Sequence, residues 1–248
     1  MTRIRDYIKT IPEGTVFTIN DVKRFNRNIN VNSLATTLSK LAKEGYLKRI
    51  GRGKYYRPKN SYLGELPVTW QKVAELYLYD SGYRKRYIGY ITGLALYNHY
   101  KLSTQVPSEL TIATKKRKSK TTLMLSNGMR LSLIPLEFPI RTKDDIRALQ
   151  YLDLLKYLKQ AIDVKPENVI RFLQNELNES SPKFIKKIIG YSLKYSPFVR
   201  ALLGVILDNT KYRQYASYIK DNLNPLTKFK INFNTNLTNL KKWNIIKT

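Results

Sequence analysis

The sequence predicts an α+β fold in two parts, and three observations predict it. Residues 1–60 carry three helix-period segments around short β-prone runs. The stretch before residue 137 shifts to a period of two around Asn127-Gly128, and from Thr142 apolar residues return to helical spacing. With 248 residues, 42% of them hydrophobic, the chain has enough apolar surface to bury a core and is not broadly disordered.

Ile4, Tyr7, Ile8 and Ile11 make one apolar stripe on a first helix, which Pro12-Glu13-Gly14 ends. Val16-Phe17 suits a short strand. Thr18 stands three residues before Asp21, a capping pattern for a second helix carrying Ile19, Val22 and Phe25. Val31, Leu34, Leu38 and Leu41 then fall on one inward stripe of a third helix, and Gly45 follows where a helix end favours positive φ. The outward face of that helix holds Asn32, Ser33, Thr36, Thr37 and Lys40, short polar groups and one cation suited to base edges in a major groove. Tyr46 to Ile50 and Lys54 to Arg57 are β-prone runs around Gly51-Arg52-Gly53, a tight turn with arginine at its tip. Lys48, Arg49, Arg52, Lys54 and Arg57 place cations along the hairpin at phosphate reach. Helix, strand, helix, helix, hairpin is the order of a winged helix-turn-helix DNA-binding domain over residues 1–60. A small α+β domain with a solvated basic face is the bland alternative.

Pro58 to Leu66 clusters Pro, Lys, Asn, Ser and Gly and reads as a linker before a second domain, 66–248. Pro67 opens a helix reaching about Asp80, broken by Ser81-Gly82, and a further helix is expected over Tyr87–His99. Glu109–Thr114 reads as a strand. Thr121–Leu125 and Met129–Leu136 flank Asn127-Gly128 as a hairpin, near 121–136. Thr142, three before Asp145, caps a helix with Ile146, Leu149, Leu152, Leu155 and Leu158. Ser181-Pro182 and Ser196-Pro197 each start another. Phe229, Ile231 and Phe233 alternate like an edge strand in an Asn-rich tail.

The 45 Lys+Arg stand against 18 Asp+Glu, a formal +27, which favours nucleic acid or an anionic membrane surface. Residues 1–60 hold fourteen Lys+Arg and four Asp+Glu, net +10. Lys115, Lys116, Arg117, Lys118 and Lys120 form a second basic run, either a solvated connection or a second polyanion contact. Phe184–Tyr195 with Lys183, Lys186, Lys187 and Lys194 is the nearest approach to a membrane-surface helix, and a buried helix with a solvated edge explains it as well. There is no cysteine, so disulfides, thiolate catalysis and Cys-bound zinc are excluded. No leader and no spanning apolar run is read, which points to a cytoplasmic protein.

Neither a P-loop, a dinucleotide fingerprint nor a G-x-S-x-G context is present, and His99 has no second histidine to share a metal. No catalytic residue, metal or cofactor is expected. A metal-dependent nuclease, built on Glu109, Glu137, Lys115 and Lys116, is the enzymatic rival, without a defensible motif spacing.

Residues 89–114, with Thr92-Gly93, Leu102, Thr104-Gln105-Val106-Pro107 and Ile112-Ala113-Thr114, resemble a segment of the AbiEi family of antitoxins from bacterial type IV toxin–antitoxin systems. Arg52-Gly53-Lys54-Tyr55-Tyr56 sits where that family carries its winged helix, and the resemblance covers about residues 1–140. It implies a repressor of its own operon, bound to an inverted-repeat operator in duplex DNA. It also implies, in phage defence, a C-terminal domain opposing a nucleotidyltransferase-type toxin without a stable complex. A plain transcriptional regulator without antitoxin activity is the alternative.

Overall fold

The computed structural model describes residues 2–248 apart from 26–27, 63, 67, 81–85, 106, 125–127 and 129, and of Thr2 and Arg3 only the backbone. The expectations resting on Asn127, Pro67, Ser81-Gly82 and Val106 lie outside the described residues.

The first unit runs α1 (Thr2–Thr10), β1 (Val16–Thr18), α2 (Ile19–Phe25), α3 (Val31–Lys43), β2 (Lys48–Gly51) and β3 (Lys54–Tyr56). Its sheet has the order β1-β3-β2, antiparallel throughout. Ile4, Ile8, Ile11, Phe17, Val22, Leu34, Leu38, Leu41, Leu47 and Tyr55 close one core between helices and sheet. Thr18 and Asp21 cap α2 reciprocally: the Asp21 carboxylate accepts from the Thr18 N–H at 2.7 Å, and Thr18 Oγ1 accepts from the Asp21 N–H at 3.3 Å. Two residues of the expected inward stripes turn outward. Val31 is 40% exposed because it sits at the first position of α3, beyond the end of the core, and Phe25 is 68% exposed, stacked on Tyr7 with ring centroids 3.9 Å apart.

The expected linker is a second hairpin, β4 (Lys59–Ser61) with β5 (Gly64–Leu66). Glu65 ties it to the β2–β3 hairpin, accepting from Tyr56 Oη at 3.2 Å and pairing with Lys48 Nζ at 3.1 Å. α4 (Trp70–Leu78) follows and packs on one face of a four-stranded sheet: β6 (Gly89–Thr92), β7 (Glu109–Thr114), β8 (Thr121–Met124) and β9 (Arg130–Pro135), order β6-β7-β9-β8. β7 and β9 are parallel; the other pairs are antiparallel. Val16 and Ile50 of the first unit pack against this same core, so the two units share a face.

The expected helix over Tyr87–His99 is instead β6 and a short α5 (Ala95–His99). Two glycines decide this. A Cβ at Gly89 would lie 2.3 Å from the Tyr77 carbonyl oxygen and 2.6 Å from that of Ala113, so the position suits a strand squeezed between neighbours. Gly93 holds φ +73, which stops any helix running through it.

α6 (Lys143–Lys156) begins with the expected Thr142 capping box. α7 (Pro166–Glu179), α8 (Pro182–Ser192) and α9 (Pro197–Asp208) start at first-turn prolines, and Ser181 and Ser196 cap the last two. α10 (Ala216–Asp221) leads to the tail, where β10 (Phe229–Ile231) pairs in parallel with β11 (Ile245–Lys247). The Asn-rich tail is locked in. Trp243 lies flat on Gly204, where a Cβ would come within 2.1 Å of the ring, and Asp208 accepts from Lys242, Arg213, Asn239 and the Trp243 indole. The apolar face of α8 (Phe184, Ile185, Ile188, Ile189) is spent on the core, so it is not offered to a membrane surface. Among the described residues no helix is long and apolar enough to cross a membrane.

Candidate nucleic-acid interface

α3 is fixed from both ends. Asn30 Oδ1 accepts from the Asn32 N–H at 2.8 Å, and Gly45 follows the helix at φ +77. Leu34, Leu38 and Leu41 then anchor the inner side, which leaves Asn32, Ser33, Thr36 and Lys40 exposed and Thr37 half-buried at the edge. The two threonine hydroxyls are oriented: Thr36 donates to the Asn32 carbonyl at 3.0 Å and Thr37 to that of Ser33 at 2.9 Å. With the protons spent inside the helix, each presents a methyl and acceptor lone pairs outward. Those are groups that meet a thymine methyl or the exocyclic amine of adenine or cytosine.

The β2–β3 hairpin places its cations unequally. Lys48 faces Tyr56 and Arg49 faces Tyr55 in the ladder, and the register slips between Arg49 and Gly51. Gly53 at φ +68 closes the turn, and its carbonyl accepts from the Ile19 N–H at 3.1 Å, holding the tip over α2. Arg52 is exposed at that tip, and both Arg52 and Lys40 are without a partner among the described residues. Arg49 lies exposed beside the turn, with a long 3.4 Å contact to the Gly51 carbonyl.

Three expected phosphate contacts are otherwise engaged. Arg57 donates to the Lys9 and Ile11 carbonyls at 2.7 and 2.9 Å and lies 3.7 Å from Glu13. It therefore caps the end of α1, where the helix dipole favours a cation. Lys48 is half-neutralised by Glu65. Lys54 is half-buried; burial first, then the neighbouring Arg117 and Lys116, holds its ammonium below the usual lysine range.

That neighbourhood shows where the second basic run goes. Lys115, Lys116, Lys118 and Lys120 are exposed, though Lys116 also donates to the Leu76 carbonyl near the end of α4 at 2.6 Å, and Arg117 lies half-buried beside Tyr77. The run is thus only partly a solvated connection. It joins Lys54 of the first unit in one cluster, held near Asp21 and Asp80.

The residues of the nuclease alternative do not converge on a carboxylate group. Glu109 is paired with Arg130 at 3.6 Å, Glu137 is exposed, and among the described residues no three His, Cys, Asp or Glu come together to hold a metal ion. His99 is exposed, edge-on to Tyr100.

Residues 3–122 match the model of a family of unknown function, DUF6088. The match takes in the first unit, both hairpins, α4 and the sheet as far as the start of β8, and stops before the helical part. A search of curated proteins gives no match. Among solved structures the chain is similar to the RV2827C protein from Mycobacterium tuberculosis, at 9% identity and a TM-score of 0.49, over 98% of this chain and 89% of that one. So distant a likeness carries no weight for fold or function.

Proposed function

We propose that this chain is a duplex-DNA-binding repressor acting in the cytoplasm, and that it doubles as the antitoxin of a type IV toxin–antitoxin pair. The carrying observation is the uncommitted outer face of α3 (Asn32, Ser33, Thr36, Thr37 and Lys40) standing beside a wing tip with exposed Arg49 and Arg52. Polar readers on a helix flanked by cations on a hairpin supply the two kinds of contact a duplex requires, base edge and phosphate. Arg57 belongs to the scaffold of this interface, and Lys115, Lys118 and Lys120 extend its positive field.

The antitoxin role rests on the likeness of residues 89–114 and of the wing to the AbiEi family. It carries with it a functional partner, a nucleotidyltransferase-type toxin, opposed without a lasting complex. Two assays test the proposal separately. Selection of random duplexes with the full chain should enrich an inverted repeat; a pool that stays random ends the repressor reading. Co-expression with a type IV nucleotidyltransferase toxin from the same operon, if one is encoded there, should restore growth, and a folded, abundant chain that rescues nothing leaves a plain regulator.

A further inference from the structure

The basic stripe of α8 has no part in the helical core, and the first unit makes no use of it. The helix buries Phe184, Ile185, Ile188 and Ile189, which leaves Lys183, Lys186, Lys187 and Gly190 on its outer side. Lys194 continues the same side in the turn that follows. Lys187 is committed, donating to Asp145 and Thr142. Lys183, Lys186 and Lys194 are exposed and make no ion pair among the described residues. Two of them lie near rings instead, Lys186 at 5.9 Å from Tyr215 and Lys194 at 6.0 Å from Phe138. Phe138 stacks on Tyr195 at 5.4 Å, and the exposed Lys156 stands 5.9 Å from that second ring. The stripe thus broadens into a patch of four cations without an acid partner.

Gly190 is a second, independent observation. It is exposed in the last turn of α8, and a Cβ there would meet nothing within 4 Å. Packing therefore gives no reason for a glycine, and its φ is not positive. Alanine would favour the helix, so the bare backbone costs stability that the fold does not recover. A partner surface passing close to the helix between Lys186 and Lys194 accounts for it.

The chemistry of the patch narrows the partner. No large apolar side chain of residues 182–194 is exposed, so the surface offers nothing to enter a bilayer and no apolar centre for a protein interface. Phe138 and Tyr195 are buried, which denies unpaired bases a ring to stack on. What remains is a row of cations for phosphates, without groups that read bases. At about 1.5 Å of rise per residue, Lys194 stands about 12 Å along the axis from Lys186. The major groove of B-form DNA is about 12 Å wide, so these two ammonium groups reach phosphates on opposite rims while Gly190 spans the gap. A-form RNA, with its narrow major groove, fits that separation poorly.

We propose that α8 and the turn after it form a separate, sequence-independent contact to duplex DNA, lying across the major groove. The contact uses no residue of α3 or the β2–β3 hairpin and requires no operator, so it goes beyond the repressor reading. The test is anisotropy titration of the full chain against a random-sequence DNA duplex over a range of salt. In Lys183→Gln/Lys186→Gln/Lys194→Gln the slope of log K against log salt shrinks by about 0.9 for each lysine, about 2.7 together, at unchanged melting temperature. Removing three exposed tail charges instead, in Lys228→Gln/Lys230→Gln/Lys241→Gln, leaves the slope at the parent value. Gly190→Leu changes no charge, yet weakens duplex binding about tenfold without lowering the melting temperature. Arg49→Ala/Arg52→Ala reports on the hairpin whatever α8 does, so the two DNA readings fail separately. The inference is overturned if the parent binds no random duplex, if the α8 triple variant keeps the parent slope, or if the tail variant loses as much. Parent affinity in Gly190→Leu overturns it too. So does tighter binding of the parent to an RNA duplex of the same sequence or to phosphatidylserine vesicles, lost in the α8 variant, which assigns the patch to that polyanion instead.

Discussion

Residues 1–60 hold fourteen Lys+Arg against four Asp+Glu, and residues 142–248 hold nineteen against nine, so both regions come to +10. They use that charge differently. In the helical part three acids lie inside the fold and act as hubs. Asp145 caps α6 and binds Lys187 at 2.5 Å, Asp153 accepts from Thr92, Tyr90 and Tyr195, and Asp208 gathers four donors around the tail. In the first unit the acids secure edges, as Glu44 does with Arg5 at 2.5 Å, while Lys40 and Arg52 have no partner among the described residues. Net charge alone therefore does not identify a binding surface. What sets the first unit apart is where its exposed cations stand, Lys40 on the polar outer face of α3 and Arg49 and Arg52 on the hairpin beside it.

The comparison breaks first at Asp208. Its side chain is fully buried, so Asp208→Ala leaves the buried Trp243 indole without its acceptor, while Lys242 and Arg213, 38% and 67% exposed, can turn to water. A loss of about 1–3 kcal/mol in urea unfolding is expected, with DNA affinity of the folded chain unchanged. A variant as stable as the parent would show that the tail is not held this way.

Arg57 and Arg52 sharpen the same contrast inside one hairpin. Arg57→Ala removes hydrogen bonds to the end of α1 and should cost about 1.5–3 kcal/mol of stability. Arg52→Ala should stay within about 0.5 kcal/mol of the parent in stability and instead weaken DNA binding. Exchanged phenotypes in paired denaturation and anisotropy titrations would reverse the two assignments.

The buried acids also predict opposite pH responses. Burial opposes ionisation of Asp145 and Asp208, but Lys187 with three hydrogen bonds, and Lys242 with Trp243 and Asn239, outweigh it and hold both below the usual carboxylate range. Their stabilisation is complete above the unfolded value of about 3.9 and is lost as pH falls through the lower folded values. Asp153 is raised, first by burial. Its contribution is complete below the unfolded value and is lost as pH rises through the raised folded one. Asp153→Asn should therefore flatten the upper limb of a stability–pH curve and leave the acid limb in place. An unaltered upper limb would exclude Asp153 as its source.

Smaller effects are expected on the reading face. Thr37→Ala or Lys40→Ala should change preference at one operator position by about 1–3 kcal/mol without altering stability. Identical selected sites for parent and variants would remove those residues from the reading set.

Much of this contrast was legible in the sequence. The α1–α3 stripes, the Thr18 and Thr142 caps and the Ser-Pro helix starts rest on local periodicity and capping, which a linear reading captures. The errors share one cause, contacts from distant residues. Gly89 is a strand residue because Tyr77 and Ala113 approach it, information absent from residues 87–99 themselves. The two carbonyls at the end of α1 that Arg57 donates to are likewise invisible in its own hairpin. Arg117 is half-buried because Tyr77 of α4 lies beside it, a contact the basic run itself does not announce.

The most direct test of the central claim, that Arg49 and Arg52 on the β2–β3 hairpin contact DNA phosphates, is the salt dependence of duplex binding for Arg49→Ala/Arg52→Ala. If both are phosphate contacts, the slope of log K against log salt should shrink by about 0.9 for each, or about 1.8 together, with the melting temperature unchanged. A slope equal to that of the parent chain would contradict it.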